Sequence, residues 1–223
     1  MRGLVRAAAA LSLALCVLTA QAARAETLDI EPVVQQTPVW CWAATSEMVL
    51  KHYGFPNLNP AGNYQCGVVG SVGGPCWSNC GACITSGGTT YSIANVLRNY
   101  ARVTLQLTGF RVDEPFEPRA VGRLSPGQIE RSIDDDAPVV AGITPAGIRF
   151  PPGMGFSQHA VLIVGYEEAE DGGLFLVVND PYPYPYGVAP YVQAGGASDG
   201  PGRFLIRYEA FVQRLGYDNS IVF

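Results

Sequence analysis

The sequence predicts an α+β fold in which a mainly helical first part precedes a mainly β second part. Apolar residues recur at helical spacing over residues 41–53 and 90–100, whereas Val, Ile, Leu and Phe collect in short runs after residue 137. Clusters of Gly and Pro separate those runs, as turns separate strands. A chain of 223 residues that is 48% hydrophobic can bury such a core as one domain. A cleft between the two parts is a natural place for a functional site.

The first 25 residues are predicted to be a secretory signal peptide and not part of the fold. Two arginines form a basic start, residues 7–20 are an apolar run, and Ala23-Arg24-Ala25 is a small-residue cleavage site. The mature chain would begin at Glu26 and be secreted or periplasmic, with no membrane attachment. Two alternatives are weaker. The apolar run is short for a transmembrane anchor, and a lipoprotein signal at Cys16 would follow a large leucine.

The charge of the chain argues against one class of partner. The formal net charge is −5 at pH 7, and removal of residues 1–25 takes away three arginines and no acidic residue. An acidic chain without a basic run is a poor binder of nucleic acid. We therefore predict no nucleic-acid partner.

The cysteine count singles out Cys41. Five of the six cysteines remain after the signal peptide, and an odd number in an exported protein leaves one thiol unpaired. The other four crowd into residues 66–83, which predicts two disulfides whose pairing the spacing does not decide. A zinc site with four thiolates is the alternative. These four residues are Cys66, Cys76, Cys80 and Cys83.

Cys41 opens the first predicted helix, over residues 41–53. Pro38 stands just before this helix, and Gly54 and Pro56 stop it. Unpaired N–H groups and the positive dipole end at a helix N-terminus favour a thiolate. We therefore interpret Cys41 as a candidate nucleophile, against the alternative of a buried structural cysteine.

The remainder of the first part is predicted to be loop-rich, with two further helices. Residues 55–90 are rich in Gly, Pro and Asn, and a second helix is expected over Thr90–Tyr100. Alternating apolar residues predict a short strand over residues 103–107. A capping box at Ser125-Pro126-Gly127-Gln128 predicts a helix that runs to about Asp134.

The second part is predicted to be built from short strands. The predicted strands cover residues 139–143, 160–166, 174–178 and 204–207, followed by a helix at 208–215 and a closing strand at 221–223. A turn joins the second and third of these strands, so they are expected to pair antiparallel.

His159 is the histidine that can act as the base for Cys41. It opens the strand that precedes this turn, whereas His52 lies on the helix of Cys41, eleven residues further along. That spacing places it about 16 Å away along the axis. A catalytic imidazole also needs an acceptor at its other nitrogen. Antiparallel pairing brings the end of the next strand back towards His159, where Asn179 or Asp180 can supply the acceptor.

An oxyanion formed by thiolate attack needs hydrogen-bond donors placed in advance. The backbone N–H of Cys41 is one. A side-chain amide just upstream is a natural second, and Gln35 fits, with its neighbour Gln36 as the competitor.

Aromatic residues near these candidates are possible substrate contacts. Trp40 and Trp42 flank Cys41, and Tyr182 belongs to the extended Pro-Tyr run at 181–186 that follows Asp180. The alternative for this run is a rigid surface loop.

The chain resembles the papain-like cysteine peptidases in three motifs. They are Gln35-x5-Cys41-Trp42-Ala43-Ala44, then His159-Ala160-Val161…Val164-Gly165-Tyr166, then Asn179-Asp180-Pro181. The order of Gln, Cys, His and Asp/Asn agrees. The motifs look most like the bacterial branch with the bacteriocin-leader-peptidase-like (C39-like) and AvrRpt2-like (C70-like) groups. The resemblance implies a helical lobe over about 35–136 and a β lobe over about 137–223, with the cleft between them.

The resemblance also implies a role for each motif residue. Gln35 would support the oxyanion, Cys41 would attack, His159 would act as base and then acid, and Asp180 would orient His159. The Asp-Pro form is similar to the bacterial branch, which favours Asp180, with Asn179 as the alternative. The chain departs from the family at Val39-Trp40, where the eukaryotic pattern has Gly and Cys, and in the cysteine-rich insert at 66–83.

The sequence therefore predicts a secreted papain-like peptidase domain over residues 26–223 that cleaves peptide bonds through a thioester. The expected partner is a peptide or protein substrate, and the expected state is a monomer without cofactor or metal. An acyl transferase with the same triad, phytochelatin-synthase-like or transglutaminase-like, is one alternative. A catalytically inactive, disulfide-stabilised binding protein is another.

Overall fold

The structure is a computed structural model that describes residues 24–84, 88–113, 115–144, 158–185 and 188–223. The proposed signal peptide lies outside the described residues except for Arg24 and Ala25. Within the described residues, seven helices accompany one antiparallel sheet of eight strands, so the predicted α+β class is confirmed.

The helices lie mostly in the first part of the chain. They are α1 Cys41–His52, α2 Tyr64–Gly70, α3 Pro75–Ser78, α4 Thr90–Thr108, α5 Pro126–Asp134, α6 Pro190–Gln193 and α7 Tyr208–Leu215, with a 3-10 turn at Cys80–Cys83. The strands are β1 Ala25–Thr27, β2 Arg119–Gly122, β3 Val139–Ile143, β4 His159–Glu168, β5 Leu174–Asn179, β6 Ala197–Ser198, β7 Arg203–Arg207 and β8 Asn219–Val222. None of the described helices combines the length and apolar character that a bilayer crossing needs.

The sheet runs in the order β2-β8-β3-β4-β5-β7-β6, and β1 pairs with the distal part of β4. The predicted antiparallel pairing of the strand that His159 opens with the strand that ends at Asn179 is confirmed. Helix α1 packs against β4, and the Thr45 hydroxyl donates to the Ala160 carbonyl at 3.0 Å. This bond joins the helix that begins at Cys41 to the strand that begins at His159.

The predicted strand over residues 103–107 is wrong, because helix α4 continues through it to Thr108. The buried side chains of α4 recur at helical spacing from Thr90 through Leu97 and Tyr100 to Thr104. The alternating apolar residues at 103, 105 and 107 are too few to override this buried helical face, and Leu107 is exposed. Gly109, with φ of 74°, then ends the helix in the left-handed conformation.

Seven short elements of the described chain were not predicted: β1, β2, β6, α2, α3, α6 and the 3-10 turn at Cys80–Cys83. Strands β1 and β2 have three and four residues, and each exists because it adds to a strand that is distant in sequence. Strand β2 therefore joins the sheet although it comes from the helical part of the chain. Helices α2 and α3 lie in the stretch that carries the four paired cysteines.

Candidate active site

The structure brings together Cys41, His159 and Asp180. Cys41 is the first residue of α1, and its thiol lies close enough to the imidazole of His159, the first residue of β4, for each group to shift the pKa of the other. The His159 Nε2 lies 2.6 Å from Asp180 Oδ1. Because Nε2 is committed to the carboxylate, Nδ1 is the nitrogen that can exchange a proton with the thiol.

The electrostatics of this group favour the charged form of each partner. Burial acts to raise the pKa of the Cys41 thiol, but the hydrogen bond and charge of His159 and the Ala160 backbone N–H outweigh it, so this pKa lies below its usual value. Burial acts to lower the pKa of His159, yet the charge and hydrogen bond of Asp180, with Cys41, raise it well above its usual value. A thiolate–imidazolium pair is the expected resting state.

Two tyrosine hydroxyls complete the surroundings of Asp180. Tyr191 and Tyr184 donate to Oδ2 at 2.9 and 3.2 Å, and the Tyr182 N–H donates to Oδ1 at 2.8 Å. Burial, and then the charge of Asp180, raise the pKa of Tyr191 well above its usual value, so its hydroxyl stays a donor. Together with the bond from His159, these bonds give each oxygen of the buried carboxylate two hydrogen-bond donors. Sequence reasoning pointed to the Pro-Tyr run that contains Tyr184 without assigning that residue to Asp180, and it missed Tyr191, which lies eleven residues further along the chain.

The structure places Asn179, the alternative orienting residue, away from His159. Its side-chain amide donates to the Ile30 carbonyl at 2.6 Å, and its Oδ1 accepts from Arg203 Nε at 3.0 Å. Arg203 also donates to Ile30. Asn179 thus joins β5 to the lead-in segment and to β7.

Gln35 lies next to the Asp180-Pro181 segment, since its backbone N–H donates to the Pro181 carbonyl at 2.9 Å. The side chain is buried, and its Nε2 donates to the Thr37 carbonyl at 2.7 Å. An amide NH₂ carries two hydrogens, so one remains for a further acceptor. Gln36, the competitor, instead accepts from Asn63 Nδ2 through its side chain at 2.7 Å.

The three aromatic residues predicted to contact substrate lie in different surroundings. Trp40 and Trp42 are both buried in the core. Tyr182 is half-buried, and its ring meets that of His159 edge-on, with 6.4 Å between centroids. Tyr182 is therefore the member of this group that faces the candidate site.

The four clustered cysteines form two disulfides, Cys66–Cys80 and Cys76–Cys83, while Cys41 is free. The prediction of two disulfides is confirmed, and the zinc alternative is wrong because a disulfide sulfur is not a thiolate ligand. The Cys66–Cys80 bridge ties α2 to the 3-10 turn.

Helix α2 holds the loop that precedes Cys41. Gln65, on α2 and almost fully buried, accepts from the Gln36 N–H at 3.0 Å and donates to the Val34 carbonyl at 2.9 Å. The Gln65 side chain therefore hydrogen bonds to the backbone of both neighbours of Gln35. Its Nε2 also donates to Glu47 Oε2 at 3.2 Å, which connects this part of the loop to helix α1. Sequence reasoning missed Gln65, which differs in no local pattern from an ordinary polar residue.

The far end of the same loop is held by the second disulfide. The indole N–H of Trp40, the residue before Cys41, donates to the Cys83 carbonyl at 3.3 Å. Gln65, which adjoins the cysteine-rich insert, and Cys83, its last residue, thus contact the loop on both sides of its turn at Thr37–Val39. This gives the insert a positioning role for Gln35 and Cys41.

Replacement of Gln65 by leucine is expected to lower kcat on the order of tenfold to a hundredfold, with a smaller change in KM. The leucine removes the bonds to the Gln36 N–H, the Val34 carbonyl and Glu47 Oε2, so the loop that carries Gln35 is no longer held in position. Steady-state kinetics on a peptide substrate and a thermal melt measure the two effects.

The same substitution at an exposed glutamine, Gln106→Leu on α4, is the matched control and should change neither quantity. A Gln65→Leu enzyme with a lower melting temperature but an unchanged kcat would mean that Gln65 only stabilises the fold.

The arrangement as a whole defines a class of protein. A nucleophilic hydrolase site can consist of a thiol at a helix N-terminus, a histidine at the start of a strand and a carboxylate bound to the second imidazole nitrogen. The helical part supplies the thiol, and the sheet supplies the other two groups.

Comparisons with known proteins agree with this class. The sequence model of the Peptidase_C39 like family matches residues 27–193. The match covers most of the chain and every residue of the three motifs, so the chain belongs to the Peptidase_C39 like family, and its kind is that of a cysteine peptidase. The recognition made from the motifs is confirmed.

Two other comparisons add little. A search of the curated proteins finds no match. Among solved structures, the chain is similar to a protein described as a C39-like peptidase from Bacillus anthracis, with a TM-score of 0.45 and 12% identity over 89% of this chain and 98% of the other. A likeness at this level carries no argument about the site.

Proposed function

We propose that this protein is an exported cysteine peptidase that hydrolyses peptide bonds through a thioester on Cys41. The observation that carries the proposal is the grouping of the Cys41 thiol, the His159 imidazole and the Asp180 carboxylate: Cys41 and His159 shift each other's pKa, and His159 Nε2 lies 2.6 Å from Asp180 Oδ1. Membership of a peptidase family makes a peptide or protein the substrate. The residues proposed to act are Cys41, His159, Asp180 and Gln35.

The first half of the reaction forms the thioester. The Cys41 thiolate attacks the scissile carbonyl carbon, and the carbonyl π electrons move to the oxygen. When the tetrahedral intermediate collapses, the C–N bond breaks, and His159 passes the proton on Nδ1 to the leaving amine. Asp180 keeps the imidazole oriented and stabilises its positive charge while it is protonated.

The second half releases the acyl group. Neutral His159 takes a proton from a water molecule, whose oxygen attacks the thioester carbonyl. The C–S bond breaks, and the thiolate–imidazolium pair returns as the acid product leaves. Each half passes through an oxyanion, for which the donors are the Cys41 N–H at the start of α1, which has no intrahelical acceptor by its position, and the free hydrogen of the Gln35 amide.

Export is proposed on two grounds. The two disulfides are typical of an oxidising compartment, either periplasmic or extracellular. The sequence of residues 1–25 has the three regions of a signal peptide. Peptide mass mapping of protein recovered from outside the cytoplasm would give Glu26 as its first residue.

Covalent labelling tests the proposed function most directly. A peptidyl epoxide should label the wild-type protein once per molecule, and Cys41→Ala should remove the label, while wild type cleaves a quenched peptide library. Product analysis in the presence of amines separates hydrolysis from acyl transfer. Absence of both labelling and turnover in well-folded wild type would identify an inactive binding protein and refute the proposal.

The pH dependence of kcat/KM is expected to be a bell with a broad top. The pKa of Cys41 is lowered, so its thiolate is lost only as the pH falls well below the ordinary thiol value of about 8.5. The pKa of His159 is raised, so the proton needed by the leaving amine is lost only as the pH rises well above the ordinary value of about 6.5. The two limbs belong to the coupled pair. A profile that rises through pH 8.5 would contradict the ion pair.

A further inference from the structure

A cavity of about 710 Å³ lies beside the candidate active site. One part of its wall is the lead-in segment Pro32–Val34, and another part is the Pro-Tyr run from Tyr182 to Pro185. Val192 of α6 and Phe204 of β7 close it. Its volume is that of a site for a ligand or a few amino-acid side chains.

Both parts of the wall are close in sequence to proposed catalytic residues. Val34 is followed by Gln35, and Tyr182 follows Asp180, which itself lines the cavity. The bond from the Gln35 N–H to the Pro181 carbonyl joins these two parts of the wall.

The chemistry of the walls selects an uncharged, apolar occupant. Asp180 is the one charged residue among those that line the cavity, and its oxygens are already bonded to His159, the Tyr182 N–H, Tyr184 and Tyr191. An added charged group would find no partner there. Val34 and Val192 stay 60% and 42% exposed at the rim, so a bound apolar group would cover surface that now faces water.

The position of His159 decides which part of a substrate reaches the cavity. His159 must protonate the leaving amine, so the residues that follow the scissile bond lie on the imidazole side of Cys41. The Tyr182 ring packs edge-on against that imidazole and also lines the cavity. The part of a substrate that continues from the scissile nitrogen past His159 therefore lies over Tyr182 and enters the cavity.

We propose that the cavity is a specificity site for apolar or aromatic residues on the C-terminal, leaving-group side of the cleaved bond. This rests on the proposed function and extends it from peptides in general to a substrate class. Substrates with Phe or Leu just after the cleaved bond are preferred to those with Asp there.

Three substrates with one common acyl part test the proposal. Two are quenched peptides with Phe or Asp in the two positions after the cleaved bond, and the third carries a small fluorescent amine as the leaving group, which reaches no subsite beyond His159. Wild type should prefer the Phe peptide by on the order of tenfold or more in kcat/KM. Val192→Asp should lower turnover of the Phe peptide by a similar factor and leave the fluorescent-amine substrate unchanged.

Two further variants sharpen the result. Val192→Lys should improve turnover of the Asp peptide relative to the Phe peptide. Leu107→Asp introduces the same charge at an exposed apolar residue of α4 that does not line the cavity, and it should change none of the three rates. Equal use of the Phe and Asp peptides by wild type, or an equal effect of Val192→Asp on all three substrates, overturns the specificity site. A wild-type enzyme without Cys41-dependent turnover of the fluorescent-amine substrate overturns the proposed function itself, and the site with it.

Discussion

Replacement of Cys41 by alanine or serine is expected to lower kcat/KM on the order of 10⁴- to 10⁶-fold. Alanine removes the atom that forms the thioester, and a serine hydroxyl is not activated by a site built around a thiolate. The fold should survive, because Cys41 is partly exposed and takes part in neither disulfide. A quenched-peptide assay with a thermal melt measures both properties.

His159 needs a variant that keeps the carboxylate satisfied. Alanine at this position would leave buried Asp180 without its closest partner, so loss of activity and loss of fold could not be separated. In His159→Gln the amide nitrogen can still donate to Asp180, but it cannot carry the proton of the reaction. An enzyme that melts like wild type and has lost activity on the scale of the Cys41 variants is the expected result. Peptide hydrolysis that persists in Cys41→Ala would mean that the nucleophile lies elsewhere.

Substitution of Asp180 by asparagine is expected to reduce kcat on the order of 10²- to 10⁴-fold. Asparagine has almost the same shape, but it lacks the negative charge that holds the His159 imidazolium, and its amide nitrogen faces donors where Asp180 offers acceptors. The loss should therefore appear in kcat and in the alkaline limb of the pH profile, which should move to lower pH because the pKa of His159 loses its largest raising influence.

Asn179→Ala is the neighbouring comparison. Its bonds go to Ile30 and Arg203, so the expected cost is about 1–3 kcal/mol of unfolding free energy, with kcat changed by less than about tenfold. If Asn179→Ala were the crippling change and Asp180→Asn the mild one, the assignment of the orienting residue would have to be reversed.

The placement of the disulfides gives the insert a part in activity as well as in stability. Gln65 lies on the helix that Cys66 anchors, and Trp40 is bound by the carbonyl of Cys83, so each disulfide is one step from the loop before Cys41. A chain whose four cysteines are reduced loses the constraint on both contacts. The oxidising compartment proposed for this protein is thus also the one in which the loop from Gln35 to Cys41 is held in place.

The order of the site residues and the character of the main elements could be read from sequence, because both depend on local pattern. Helical and alternating apolar spacing report which face of an element is buried, and this was sufficient for α1, α5 and α7 and for the strands β3, β4, β5, β7 and β8. Where the alternating pattern was brief, as at residues 103–107, the longer helical face of α4 prevailed. The elements of three to four residues escaped because their stability comes from distant partners and not from their own sequence.

By itself, then, the sequence determined that one thiol stands apart from four clustered cysteines, that His159 is the imidazole able to reach it, and that an acceptor follows one strand later. Three things were decided only by the tertiary structure. Successive residues of a strand point to opposite sides, so whether Asn179 or Asp180 faces His159 depends on the register and twist of β5 against its neighbours. The cysteine pairing depends on which sulfur atoms the folded insert brings together. Gln65 and Tyr191 act through contacts with residues that are not their near neighbours in sequence, and such contacts leave no periodic trace in the chain.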